Sequence, residues 1–484
     1  MESRDKEKGK KKLTKVKTFP VPFALVEIKE NISTTAASAN PSKEQIINQA
    51  FNFHSQGNIQ EATKYYQYFI DQGFKDHRVF SNYGAILQDL GKLKEAEYSY
   101  RKAIEIKPDY AEAHYNHGII LKDLGKLKKA ECSYRTAIEI NPDFAEANLN
   151  LGNLLNDLGK LKDAEYSYRK AIEINPDYAE VHFNIGNLLN NLGKLKDAEY
   201  SYRKAIEIKP DYAEAFSNLG NVLKDLNNLQ EAELSTRKAI ELNPDFAIVH
   251  FNLGNILRDL GKLKDAEVSY CKAIEIKPNY AEAYSNLGNT LNDLGKSQEA
   301  FDSYLKVIEI NPTVSDSYTS ISILLRDSDL SQLDKSKIKE ILNIMLERND
   351  CFHQDLFKAF NFLFGSEMTI NLSKLDSDSV TSELFLNDKL IINALKKIVF
   401  KDPKWERLLI KLRKDICNRI ANREGEITNW QLKFFIALAE QCFSNEYIYS
   451  IEVEETKSLE KIITICKESK LTETNLSVLA CYLP

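Results

Sequence analysis

The sequence predicts an all-α fold, a solenoid of stacked helical hairpins followed by a separate all-α C-terminal domain. Two observations in the 484 residues support this fold. Apolar residues recur at helical spacing in two runs per copy, with a glycine between the runs. A proline also returns every 34 residues, at Pro108, Pro142, Pro176, Pro210, Pro244, Pro278 and Pro312. A fixed period of this length is typical of hairpin repeats, which bury their apolar faces only by stacking.

The copy at 108–141 shows how one unit is expected to fold. Asp109 is expected to cap the first helix, because an acidic side chain can accept hydrogen bonds from the first free amides. Gly118 lacks a side chain, so a neighbouring helix can approach it closely. Gly125 suits the left-handed backbone that ends a helix. The second helix is then expected to begin near Leu127 and to stop before the next proline.

The periodic pattern sets the expected domain limits. A weaker copy precedes the regular ones, and the pattern fades after Pro312, which predicts eight repeats at 43–314 and a divergent capping helix at 315–330. Residues 331–484 keep helix-period apolar residues without the repeat and contain both tryptophans, so they are predicted to form a helical C-terminal domain. Residues 1–42 are predicted to be a basic, mostly disordered tail and linker.

Composition excludes several classes of protein. The formal net charge is −6, so nucleic acid is an unlikely partner for the chain as a whole. In the first twenty residues eight basic side chains oppose three acidic ones, a net charge of +5, without interleaved aromatic residues. The seven cysteines are scattered, which favours reduced thiols and a cytoplasmic location. No apolar run reaches the roughly 18 residues that a membrane span needs.

The 34-residue pattern resembles the tetratricopeptide repeat, or TPR. Glycine recurs in phase from Gly84 to Gly288, and alanine from Ala62 to Ala300. The resemblance implies a right-handed superhelical solenoid in which the first helix of each pair lines a concave groove. It also implies that the groove binds a protein or peptide, the partner class predicted for this chain.

Asparagines recur on the first helices at two places, counted with Ala111 as place one. The sixth place holds Asn48, Asn82, Asn116, Asn150, Asn184, Asn218, Asn252 and Asn286. The ninth place holds Asn153, Asn187, Asn221, Asn255 and Asn289, but Phe51, Ala85 and Ile119 in the first three repeats. A carboxamide carries a donor and an acceptor, like a peptide bond, so these side chains are the predicted peptide-binding residues. The alternative is that the amides bond helix to helix.

Two further resemblances concern function. The phrases at 161–176 and 210–226 are similar to the repeats of protein O-linked N-acetylglucosamine transferases, which implies an asparagine ladder that binds substrate peptide. The phrase at 430–455 resembles the helical segment that precedes the methyltransferase domain in bacterial TPR-methyltransferase proteins. These resemblances imply an alternative function, the substrate-recognition part of a methyl- or glycosyltransferase system whose catalytic domain is on another chain.

Catalysis is not predicted for this chain. The sequence contains no glycine-rich phosphate loop, zinc pattern or nucleophile elbow, so no catalytic residue, metal site or cofactor is predicted. His114, His182 and His250 recur 68 residues apart, at the fourth place of alternate repeats. Ligands of one metal ion must converge within a few ångströms, so these histidines are predicted to pack between helices. The predicted function is therefore a protein-interaction scaffold.

Overall fold

The structure is a computed structural model that describes residues 41–371, 387–400, 402–422, 429–444, 453–468 and 480. Every regular element in these residues is helical, as predicted for an all-α fold. The predicted tail at 1–42 lies almost entirely outside the described residues. Among the described residues, no helix is both long and apolar enough to cross a membrane.

Eight consecutive helix pairs follow from residue 43, and each pair is one repeat. Repeats one to four are Lys43–Ser55 with Ile59–Asp71, His77–Asp89 with Leu93–Ile106, Ala111–Asp123 with Leu127–Ile140, and Ala145–Asp157 with Leu161–Ile174. Repeats five to eight are Ala179–Asn191 with Leu195–Ile208, Ala213–Asp225 with Leu229–Leu242, Ala247–Asp259 with Leu263–Ile276, and Ala281–Asp293 with Ser297–Ile310.

The chain divides into two compact units, Met1–Leu242 and Asn243–Pro484. The first unit contains repeats one to six, in which each hairpin packs on the next as in a solenoid. The second contains repeats seven and eight and the helices that follow them. Because this division falls inside the array, the limits proposed for the array, the capping helix and the C-terminal domain stay predictions.

A glycine–tyrosine contact closes each hairpin of the common type. In repeat three, a Cβ atom built on Gly118 would lie 2.7 Å from the Tyr134 ring of the second helix. The absence of a side chain at this glycine therefore lets the two helices approach, as predicted. Gly125 ends the first helix with φ +72°, the left-handed conformation predicted for it.

The predicted cap at Asp109 is wrong. The first helix of repeat three begins at Ala111, and its N-cap residue, Tyr110, makes no side-chain capping bond. Asp109 lies in the turn between the helices, one residue too early to reach the free amides. In the next loop the Asn141 side chain stabilises the turn. Its Oδ1 atom accepts a hydrogen bond from the Asp143 amide over 3.2 Å.

After repeat eight the second unit stays helical. The helices are Ser315–Asp327, Lys335–Glu347, Phe357–Asn371, Lys389–Lys397, Pro403–Asn422, Asn429–Ser444 and Val453–Glu468, with short 3-10 turns at Leu330–Gln332 and His353–Leu356. Trp405 is buried, and its Nε1 donates to Asn361 Oδ1 over 2.9 Å. Phe360 and Phe400 pack against its ring with centroids within 5.3 Å. An aromatic core around Trp405 therefore stabilises this region.

Candidate functional site

The predicted asparagines lie on the first helices, and several form a hydrogen-bonded relay. Asn153 Oδ1 accepts from the Tyr168 hydroxyl over 2.7 Å and from Asn184 Nδ2 of the next repeat over 3.0 Å. The ninth-place amide therefore joins its own second helix to the following first helix. Since a carbonyl oxygen has two lone pairs, this acceptor is fully used.

The tyrosine bond recurs wherever the ninth place is asparagine and the second helix carries tyrosine. Asn187 Oδ1 accepts from Tyr202 over 2.7 Å and from Asn218 over 2.8 Å. In the second unit, Asn255 accepts from Tyr270 and Asn286, both over 2.8 Å, and Asn289 accepts from Tyr304 over 2.8 Å. In these repeats the amides do bond helix to helix, the alternative that the sequence left open.

The first three repeats lack a ninth-place asparagine, so the sixth-place amides of repeats one to four have other surroundings. Asn150 Nδ2 donates a hydrogen bond to the Tyr115 hydroxyl over 2.9 Å. Asn82 and Asn116 are buried, with Nδ2 of the former and Oδ1 of the latter making no hydrogen bond within the described part of the chain. Asn48 is exposed on the first helix of the array. Burial removes Asn82 and Asn116 from any surface that a peptide could contact.

Asn221 differs from the other ninth-place residues of the first unit. Thr236 stands where the second helix of the other regular repeats has tyrosine, so no phenol reaches this amide. Thr236 instead donates to Ala232 O over 2.8 Å. A Cβ atom built on Gly220 would lie closest to Thr236 Oγ1 and 3.2 Å from Ala232 O. Within the described residues, the partly exposed Asn221 amide makes no side-chain hydrogen bond; the same holds for Asn252 in the second unit.

The amides on this surface therefore differ in the hydrogen bonds that they can make with a ligand. Asn153 and Asn187 have saturated Oδ1 atoms, and no described residue accepts a hydrogen bond from their Nδ2 atoms, so each can donate to a ligand carbonyl. Asn221 can donate and accept. The sequence prediction missed the tyrosines that occupy the acceptors. A usable signal was present, because Tyr168 and Tyr202 each follow a ninth-place asparagine by 15 residues.

The recurring histidines, predicted to pack between helices, each contact the loop that precedes their own helix. The Nε2 atoms of His114, His182 and His250 lie 2.9 Å from the carbonyl oxygens of the prolines six residues before them. Each ring thus ties the first turn of its helix to the preceding loop. No group of three or more potential metal ligands occurs among the described residues.

Family models identify the repeats. A model described as "TPR repeat" matches residues 84–125, 118–157, 152–193, 186–227 and 254–295. Two models described as "Tetratricopeptide repeat" match residues 213–246 and 281–314, and residues 236–268. The chain therefore contains tandem tetratricopeptide repeats, a repeat class whose members are generally protein-interaction scaffolds. No curated protein matches the chain significantly.

Several solved structures are similar to part of the chain. YrrB, titled "a TPR protein with an unusual peptide-binding site", is 28% identical, covers 38% of this chain and 95% of its own, and has a TM-score of 0.35. MamA is 26% identical, with 34% and 95% covered and a TM-score of 0.33. A TPR protein from Parabacteroides merdae is 20% identical, with 52% and 99% covered and a TM-score of 0.38. TM-scores this low carry no inference about the ligands of this chain.

The comparisons support the repeats and not the finer resemblances. Nothing in them supports similarity to the O-linked N-acetylglucosamine transferases or to the segment that precedes a methyltransferase domain. The substrate-recognition alternative therefore stays a prediction, and no feature of the site favours it over a simple scaffold.

Proposed function

We propose that this protein is a non-catalytic scaffold that binds an extended polypeptide along the first-helix face of repeats four to six. This face is defined by Glu146, Asn153, Glu180, Asn187 and Asn221, which lie on consecutive first helices. The reduced state inferred for the dispersed cysteines supports a cytoplasmic location for this function.

The observation that carries the proposal is the unused hydrogen-bonding capacity of the ninth-place amides. Asn153 and Asn187 are held in place by two hydrogen bonds each, yet their Nδ2 atoms have no acceptor among the described residues. A held donor loses little conformational entropy when it binds a peptide carbonyl. Asn221 adds a donor and an acceptor one repeat further on. Together the three amides present a regularly spaced row to an extended backbone.

The experiment is a selection of random linear 16-residue peptides on the full-length chain, followed by affinity measurement on two variants. Asn221→Ala removes an amide that supports no internal bond, so the fold should be retained. Loss of one or two peptide hydrogen bonds at about 1 kcal/mol each weakens binding roughly fivefold to thirtyfold. Tyr200→Ala is the matched control, because this tyrosine is exposed on a second helix.

The proposal requires selected peptides that bind the control as tightly as the wild type and the Asn221 variant more weakly. Failure to select any binding peptide contradicts it. So does a set of peptides that loses affinity for the Tyr200 variant alone, because the binding surface would then lie on the second helices.

A further inference from the structure

Two recurring sets of carboxylates in the first unit differ in their partners. Those near the start of the second helices are paired across repeats: Lys126 contacts Glu97 over 2.6 Å, and Lys160 contacts Glu131 over 2.8 Å. The second-place glutamates of the first helices are Glu112, Glu146, Glu180 and Glu214. None of these four forms an ion pair with any residue that the structure describes. The first helices of repeats three to six therefore each carry a carboxylate without an ion pair among the described residues.

Tyrosines surround two of these glutamates. Glu146 and Glu180 both lie close enough to Tyr115 and Tyr178 to affect them electrostatically, and Glu180 also acts on Tyr212. Burial, reinforced by these carboxylates, raises the pKa of Tyr178 to about 12. We call these five residues the tyrosine–glutamate patch. It joins first-helix positions of repeats three to five with the residues that precede the first helices of repeats five and six.

Glu180 acts electrostatically on all three tyrosines of this patch. Its side chain is exposed to solvent, yet desolvation by surrounding protein raises its pKa, with Lys209 acting in the opposite direction. Lys209 does not neutralise the patch by an ion pair, because its Nζ lies over the Tyr212 ring at 4.6 Å from the centroid. An ammonium group already lies on one phenol ring of the patch. Tyr115 is buried, so the partly exposed Tyr178 ring and the two carboxylates present the same chemistry to a cation from outside.

We propose that the tyrosine–glutamate patch selects linear peptides that carry lysine or arginine side chains. The inference rests on the proposed peptide-binding function and adds the class of peptide. The amides of Asn153 and Asn187 donate to carbonyls of the peptide backbone, while Glu146 and Glu180 receive its cationic side chains. The partly exposed Tyr178 ring packs on the aliphatic and charged parts of those side chains. Acidic peptides are repelled from the same surface.

The test uses three ten-residue probes labelled with a fluorophore: alternating lysine and serine, alternating glutamine and serine, and alternating glutamate and serine. Their affinity for the full-length chain is measured by fluorescence anisotropy at low and physiological salt. The expected order is lysine first, glutamine second and glutamate last. The differences in affinity between the probes should decrease as the salt concentration rises, because ions screen partly exposed charges.

The deciding variant is Glu146→Gln with Glu180→Gln. Each partly exposed ion pair changes affinity by about twofold to fivefold, so the double change should weaken lysine-probe binding by about fourfold to twentyfold and leave the glutamine probe unaffected. The matched control is Glu173→Gln with Glu207→Gln, which changes net charge equally at exposed positions of second helices paired only with Lys170 and Lys204. Thermal melts establish that both variants fold.

The outcomes separate this inference from the proposed function. If the glutamine probe binds as tightly as the lysine probe, peptide binding holds and selection of cations is overturned. If no probe binds, both are overturned. Equal losses in the two double variants mean attraction by net charge alone, which also overturns the patch. A full-length dimer that the Glu146/Glu180 variant dissociates identifies a second copy as the occupant and overturns it as well.

Discussion

The Tyr202 hydroxyl donates a 2.7 Å hydrogen bond to Asn187 Oδ1, which joins the two helices of repeat five. The same oxygen accepts from Asn218 of repeat six, so one carbonyl links three helices. A residue type predicted for ligand binding therefore also maintains the fold. The Nδ2 atom of Asn187 is the part of the side chain that makes no hydrogen bond among the described residues.

Replacing Tyr202 by phenylalanine should lower the free energy of unfolding by about 0.5–1.5 kcal/mol, the usual net value of one hydrogen bond. The ring keeps its contact with Gly186, so packing is unchanged. Urea unfolding followed by circular dichroism measures the effect. Tyr200→Phe is the matched control two residues away, where the exposed side chain should lose nothing. Equal stability of the two variants would argue against the relay.

Asn187→Ala and Asn221→Ala should affect stability differently. The first leaves the Tyr202 hydroxyl and Asn218 Nδ2 without their acceptor, at a cost of about 1–3 kcal/mol. The second removes no internal hydrogen bond and introduces a better helix former, so stability should be unchanged or rise by a few tenths of a kcal/mol. Thermal melts of the two single variants are sufficient. A stable Asn187 variant would show that the amides are dispensable for folding.

His117 should make the first unit sensitive to acid. Burial lowers its pKa from 6.5 to about 4, while its Nε2 has no hydrogen bond among the described residues. The unfolded chain therefore binds a proton that the folded chain excludes, and stability is complete above pH 6.5 and falls as pH falls. Between pH 7.5 and 5 the loss is about 2 kcal/mol. Urea titrations of wild type and His117→Gln at both pH values test this, and the variant should lose about 2 kcal/mol less than the wild type.

Asn227 occupies a glycine position. Its φ is +63°, where the corresponding residues of the other repeats, such as Gly193 and Gly261, are glycine with φ near +74°. Asn227→Gly should raise the free energy of unfolding by roughly 0.5 kcal/mol, because glycine adopts this conformation without strain. Asn175→Gly is the control, at φ −131°, where the same change should destabilise the chain. Denaturant midpoints that move in the same direction for both variants would contradict this explanation.

The sequence predicted the hairpins well because their determinants are local. Gly118 and Gly125 each have one structural requirement, a close contact and a left-handed turn, and both are found as predicted. The Asp109 cap failed because a shift of one residue decides whether a side chain reaches a free amide. The asparagines were located correctly on the first helices. Their partners were not predicted, because a bond such as Asn184 to Asn153 depends on the rotation between repeats, which the helical period alone does not specify.

The spacing of the bonds between repeats has an evolutionary consequence. Asn184 bonds Asn153, and Asn218 bonds Asn187, at the same separation of 31 residues. Unequal crossing-over that deletes or duplicates one 34-residue unit here recreates each donor–acceptor pair from neighbouring copies. The number of repeats in this stretch can therefore change without loss of these hydrogen bonds. Repeat six limits that freedom, because Asn228 stands where Lys160 and Lys194 bridge to the previous repeat. A recombinant that multiplied repeat six would therefore lack this lysine bridge at each new joint.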